Sequence, residues 1–220
     1  MRLVVALLAL AVGGAAFPAA GAPGGGGFAY DRALAWWAAA TLEDASRHTG
    51  SQRKRIPLRT YVRCYDGRPA FERPLLARGA SPVAARSTIA YYDRGGTVHL
   101  RGGTCERARR FAAGALTRET AGAFTTLLHE ALHRQGFRDE NATECWAISS
   151  IRFAGRLAHG GAAPGTARPA PTPAAERFGE RALLLAYRSS LASAAAEYLV
   201  SADCLDRAEA ESWADYLRGR

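Results

Sequence analysis

The chain has 220 residues, room for one domain or for one domain with appendages. Its formal net charge of +9 does not make it a nucleic-acid binder: Lys54 is the only lysine, and the basic clusters lack the interleaved aromatics a single-strand binder uses. Those clusters, Arg53-Lys54-Arg55 and Arg107 with Arg109 and Arg110, read instead as a solvated face, with attraction to an anionic cell-envelope polymer as its functional use.

Met1-Arg2 ahead of the apolar run Leu3 to Val12, with small residues from Ala19 to Ala22, has the pattern of a secretory signal peptide over 1–22, so the expected location is secreted or extracellular. Gly13, Gly14 and Pro18 stop the run short of the roughly 20 apolar residues a membrane span needs. No stable span is expected after its removal. Residues 23–30 are glycine-rich and read as a flexible leader to a single domain over 31–220. Asp31 is placed to cap a helix carrying Leu34, Trp36, Trp37, Ala40 and Leu42 and ending near Gly50, its tryptophans in the core.

From Ile56 the period changes to two, with Ile56, Leu58, Thr60, Val62 and Cys64 on one covered face of a strand. A loop containing Pro69, Pro74 and Pro82 follows. Thr88 to Tyr92 and Thr97 to Leu100 then flank Asp93-Arg94-Gly95-Gly96 as a hairpin, which completes a small antiparallel sheet. Glu106 to Leu116 is helical, and no proline interrupts Thr117 to Gln135. Gly136 supplies a C-terminal stop, and Asp139 caps a second helix through Ile148 that must run back against the first. Residues 160–173 are low in complexity and read as a mobile loop. Ala174 to Leu199 is a long core helix, and Ser201 to Arg220 a last one packing Trp213 and Leu217. The expected class is α+β, mostly helical.

Cys64, Cys105, Cys145 and Cys204 are even in number, widely spaced and free of C-x-x-C pairs, which in an oxidising compartment reads as two disulfides with three connectivities open. Pairing Cys64 with Cys105 and Cys145 with Cys204 would staple the sheet and tie the C-terminal tail to the second helix. Structural zinc held by cysteine would need a closer spacing.

The chemistry concentrates in His129-Glu130-Ala131-Leu132-His133. Residues four apart on a helix lie roughly 40° from each other around its axis, so both imidazoles can address one ion. Glu130 then sits beside the ion, where a carboxylate can take a proton from water. The bland alternative is the polar side of an amphipathic helix, although two of the chain's five histidines fall here. A catalytic zinc takes three protein ligands. With a turn centred near Phe137, residues around 140 come level with His133 and residues around 144 level with His129, and both positions are glutamate.

Here the chain resembles the zincin metallopeptidases, in particular the gluzincin branch, whose motif helix is followed by a second helix bearing Glu-x-x-x-Asp. Glu140-Asn141-Ala142-Thr143-Glu144 is similar to that pattern with Glu in place of Asp. The resemblance implies a zinc site of His129, His133 and Glu140, with Glu144 orienting His129 and Glu130 as general base. His129-Glu130-x-x-His133-x-x-Gly136-x-x-Asp139 also resembles the metzincin motif in its Asp form, which would make Asp139 the third ligand. That branch has a methionine turn, and the only methionine here is Met1. Arg134 departs from the uncharged residue usual after the second histidine, and the corner between the helices is far shorter than in large gluzincins. The resemblance covers Thr120 to Ala147.

The sequence therefore leads to a secreted zinc hydrolase, a metallopeptidase acting on peptide or protein. Tyr91, Tyr92, His99, His159 and Tyr187 are open as stabilisers of the oxyanion. An exported, non-catalytic protein that uses zinc to brace two helices and binds envelope polymers is the alternative, and a metal-free helical core a third.

Overall fold

The computed structural model describes residues 27–48, 60–93 and 95–193. The expected signal peptide, the start of the leader, Ile56 and Leu58, the last helix and Cys204 lie outside the described residues. In chain order the elements are β1 (Phe28–Tyr30), α1 (Arg32–His48), β2 (Tyr61–Tyr65), α2 (Arg68–Ala77), α3 (Pro82–Ser87), β3 (Ala90–Tyr92), β4 (Thr97–Arg101), α4 (Gly102–Ala112), α5 (Arg118–Arg134), α6 (Glu140–His159) and α7 (Pro173–Ser193). The fold is α+β and mostly helical, as its periodicities require.

The sheet has the order β1-β2-β4-β3. It is mixed rather than antiparallel: β1 and β3 run antiparallel to their neighbours, whereas β2 and β4 pair in parallel, Val62 beside Val98 and Cys64 beside Leu100. A parallel pair needs a crossover, and α2 and α3 supply it. The stretch read as a proline loop is therefore helical. Pro69 and Pro82 stand in the first helical turns, where a missing N–H leaves no bond unmade, and Pro74 lies inside α2. The expected leader over 23–30 likewise gives its last three residues to β1.

Strand alternation separates the two faces of the sheet. Val62, Cys64, Val98 and Leu100 point into the main core, while Arg63, Tyr65, Tyr91 and His99 occupy the opposite face, where Phe71 of α2 packs its ring on Tyr65 and Tyr91. In the core, Phe124 of α5 meets Trp37 of α1 edge-on at 6.4 Å and Phe111 of α4 at 4.8 Å. Burying each of these side chains contributes about 1.5–3 kcal/mol.

Asp31 caps α1 as expected, accepting the Leu34 amide at 2.8 Å, and its other oxygen takes the Arg109 guanidinium at 2.7 Å. The Cys64–Cys105 disulfide, with Cα atoms 5.9 Å apart, bolts β2 to α4. Cys145 is also disulfide-bonded. Residues 160–172, read as a mobile loop, are tied to α1 through Arg168, which pairs with Glu43 and Asp44. Gly155 and Gly179 let α6 and α7 touch; a Cβ on Gly155 would meet the Gly179 Cα at 2.9 Å.

Candidate metal centre

The site is built at the corner between α5 and α6. A Thr117–Thr120 capping box starts α5, and an apolar stripe through Phe124, Leu127, Leu128, Ala131 and Leu132 buries one side of it. His129 and His133 lie along one edge of that stripe. Gly136, at φ 98°, ends the helix in the left-handed conformation that a Cβ disfavours. Three residues later the Asp139 carboxylate accepts the Ala142 amide at 2.8 Å and starts α6. This corner brings Glu140, the first residue of α6, back over the two histidines.

Three donor atoms converge there. His129 Nε2 lies 3.0 Å from His133 Nε2 and 3.0 Å from Glu140 Oε2, and His133 Nε2 lies 3.4 Å from the same carboxylate oxygen. Bonds of about 2.0–2.1 Å to a tetrahedral zinc would set its ligand atoms roughly 3.3–3.4 Å apart. The triangle is therefore close to the size such an ion requires, and His129, His133 and Glu140 form a group that could hold a metal ion.

The outer ring nitrogens support the same arrangement. His129 Nδ1 donates to Glu144 Oε2 at 3.0 Å, and His133 Nδ1 donates to the Phe137 carbonyl at 2.8 Å. With each Nδ1 committed to its acceptor, it is the two Nε2 atoms that face the centre, where a metal would take their lone pairs in place of the proton. His129 is only 5% exposed, yet its pKa stands at about 9: burial pulls it down, and the hydrogen-bonded carboxylates of Glu140 and Glu144 more than reverse that. The His129 hydrogen bond in turn lowers the pKa of Glu140. The metal-free pocket thus attracts positive charge strongly.

Glu130 follows His129 on α5, the helix that packs against β3. Burial raises the pKa of Glu130 above the ordinary range against the pull of both histidines. β3 is the sheet's edge strand, and its pairing with β4 uses the backbone of Ile89 and Asp93, so the polar groups of Ala90 and Tyr92 point away from β4.

Asp139 caps α6 and is not one of the three converging donors, and Glu144 reaches His129 from the outer side. Of the residues considered for the oxyanion, Tyr92 lies on the edge strand β3, which packs against α5. Tyr91 and His99 stack on each other on the opposite sheet face, His159 packs on Phe178 at the far end of α6, and Tyr187 packs against the core from α7. One main-chain contributor, the Phe137 carbonyl, carries no side-chain signature and was missed. Arg134, the unusual residue after His133, turns from the site and donates to the Gly96 carbonyl at 2.8 Å, clasping the β3–β4 turn.

Compared with known proteins, the chain matches no protein-family model, no curated protein and no solved structure. Among the described residues no helix is long and apolar enough to cross a membrane.

Proposed function

We propose that this protein is an exported zinc-dependent hydrolase, a metallopeptidase of zincin type. The observation that carries the reading is the convergence of His129 Nε2, His133 Nε2 and Glu140 Oε2 next to the half-buried Glu130. Zinc bound there would polarise the scissile carbonyl and make a water more acidic. His129 and His133 would hold the ion with ring orientations fixed by Glu144 and the Phe137 carbonyl. Glu130 would take a proton as the water oxygen bonds to the carbonyl carbon, and hand it to the amine as the C–N bond breaks. Burial, which raises its pKa, makes it a stronger base than an exposed carboxylate.

An extended peptide would add to the outer edge of β3, pairing with the backbone of Ala90 and Tyr92. Export is supported by the N-terminal pattern and by disulfide-bonded Cys64, Cys105 and Cys145, which suit an oxidising compartment. A second reading is a non-catalytic zinc brace that binds envelope polymers, favoured by the origin of all three donors in one helical hairpin.

Zinc-loaded protein assayed on a mixture of unfolded peptides separates the two. Glu130→Gln is expected to keep stoichiometric zinc and lose about a hundred- to ten-thousandfold in kcat, the range of general acid–base catalysis. Equal activity in mutant and wild type would leave only the brace.

A further inference from the structure

Arg134, the charged residue that follows the second motif histidine, is the last residue of α5, and its side chain leaves the helix for the sheet. Its Nη1 donates to the Gly96 carbonyl at 2.8 Å, a bond strengthened by the guanidinium charge. Gly96 stands at φ 90°, and a Cβ there would meet Arg134 Nη1 at 2.8 Å, so the glycine both makes the turn and leaves the guanidinium room. The same carbonyl accepts the Tyr61 amide at 3.4 Å. One oxygen thus joins the C-terminal end of α5, the β3–β4 turn and the first residue of β2.

Within the turn, the Asp93 amide donates to the Thr97 carbonyl at 2.9 Å, the Gly96 amide to the Asp93 carbonyl at 3.0 Å, and the Thr97 amide to Asp93 Oδ1 at 2.9 Å. These bonds hold the hairpin's own shape and say nothing of where it lies against α5. Packing of α5 on β3 and β4 brings the two together, but apolar contact has no direction, and a three-residue edge strand has few ladder bonds to resist tilting. The Arg134 hydrogen bond is directional, and it starts one residue from His133.

We infer that Arg134 is a positioning residue for substrate: it pins the tip of the β3–β4 hairpin to the helix that carries both histidines, and so aligns the outer edge of β3, where an extended peptide would lie, with the metal centre. This role rests on the hydrolase reading for its effect on substrate, and on the geometry of the turn for its effect on the strand. A tilted edge gives up main-chain bonds along the peptide while the three metal-ligating side chains stay in place. The loss therefore falls on long peptides, and on KM rather than kcat.

The test compares Arg134→Met, which keeps the stem and removes the donors, with Arg134→Lys, which returns one charged donor, in full-length protein. The readouts are turnover of a long unfolded peptide and of a blocked dipeptide, titration with zinc alone, and amide hydrogen exchange at Asp93 and Gly96. Arg134→Met should raise KM for the long peptide about tenfold, with its kcat, both dipeptide constants and zinc affinity within about twofold of wild type. Exchange of the two turn amides should speed up about tenfold. Arg134→Lys should recover most of both changes. If Arg134→Met fails to fold, Arg134→Gln, whose shorter stem falls short of the carbonyl, decides. An equal loss on both substrates, or a matching loss of zinc, overturns the inference, as does unchanged exchange of the turn amides in the folded variants even if KM rises. Where wild type has no turnover at all, the hydrolase reading fails, and the exchange rates still decide whether Arg134 pins the turn.

Discussion

His99 and His129 are both almost fully buried, and each uses both ring nitrogens, yet their proton affinities move in opposite directions. His99 has one carboxylate, Asp93, and one neutral phenol, Tyr65; burial wins, with Arg63 and Arg78 adding to it, and the pKa is lowered. His129 has a carboxylate at each nitrogen, and the pair outweighs burial. One added carboxylate turns a neutral hydrogen-bonded strut into a cation-seeking group. The sheet histidine is made to stay uncharged and still, and the helix histidine to accept a positive partner.

Removing each histidine tests that division most strongly. His129→Gln should weaken zinc binding by about a thousandfold or more, since a ligand and the ring linking both glutamates go together, whereas His99→Gln should leave it within a few fold; titration with zinc alone reads both. A loss of zinc in His99→Gln equal to that in His129→Gln would erase the distinction. Glu144→Gln is the intermediate case. It keeps the geometry but removes one charge, and should cost about 10- to 100-fold in zinc affinity.

The smaller effect is in stability against pH, measured as Tm of metal-free protein. His129 has a folded pKa of about 9, above its unfolded value near 6.5, so its contribution is full below pH 6.5 and is lost as pH rises towards 9. His99 has the opposite sign: with its folded pKa depressed, its contribution is present above pH 6.5 and is lost as pH falls through the folded pKa. His129→Gln should flatten the alkaline side of the profile and His99→Gln the acid side. Zinc affinity should itself rise from pH 6 to 9 as the competing proton leaves His129.

The helical hairpin was legible because its signals are local. Two histidines four apart, Gly136 and Asp139 define a ligand face, a stop and a start within eleven residues. The Cys64–Cys105 pairing could be anticipated from the sheet, one of three arrangements open to the sequence. The sheet was harder. Nothing in the alternation of Val62 and Cys64 says that their partners are Val98 and Leu100 in parallel, because pairing direction is decided by elements far apart in the chain. Pro69 and Pro82 look alike as loop formers and as first-turn residues, so α2 and α3 were hidden. The Phe137 carbonyl had no signature, and the chain from Tyr65 to Asp93 through His99 joins residues more than thirty positions apart in sequence at its first link.

The Cys64–Cys105 bridge closes a span of 41 residues, which contains the whole β3–β4 hairpin but neither helix that supplies the converging donors. By the chain-entropy model, closing a ring of that size restricts the denatured ensemble by roughly 4 kcal/mol. Cys145, the residue after Glu144, is disulfide-bonded as well, so covalent security reaches both the sheet and the helix that carries Glu140. A thiol reductant would then loosen the sheet and the ion's cradle together, so that a protein stranded in a reducing compartment would lose rigidity on both sides of the metal centre.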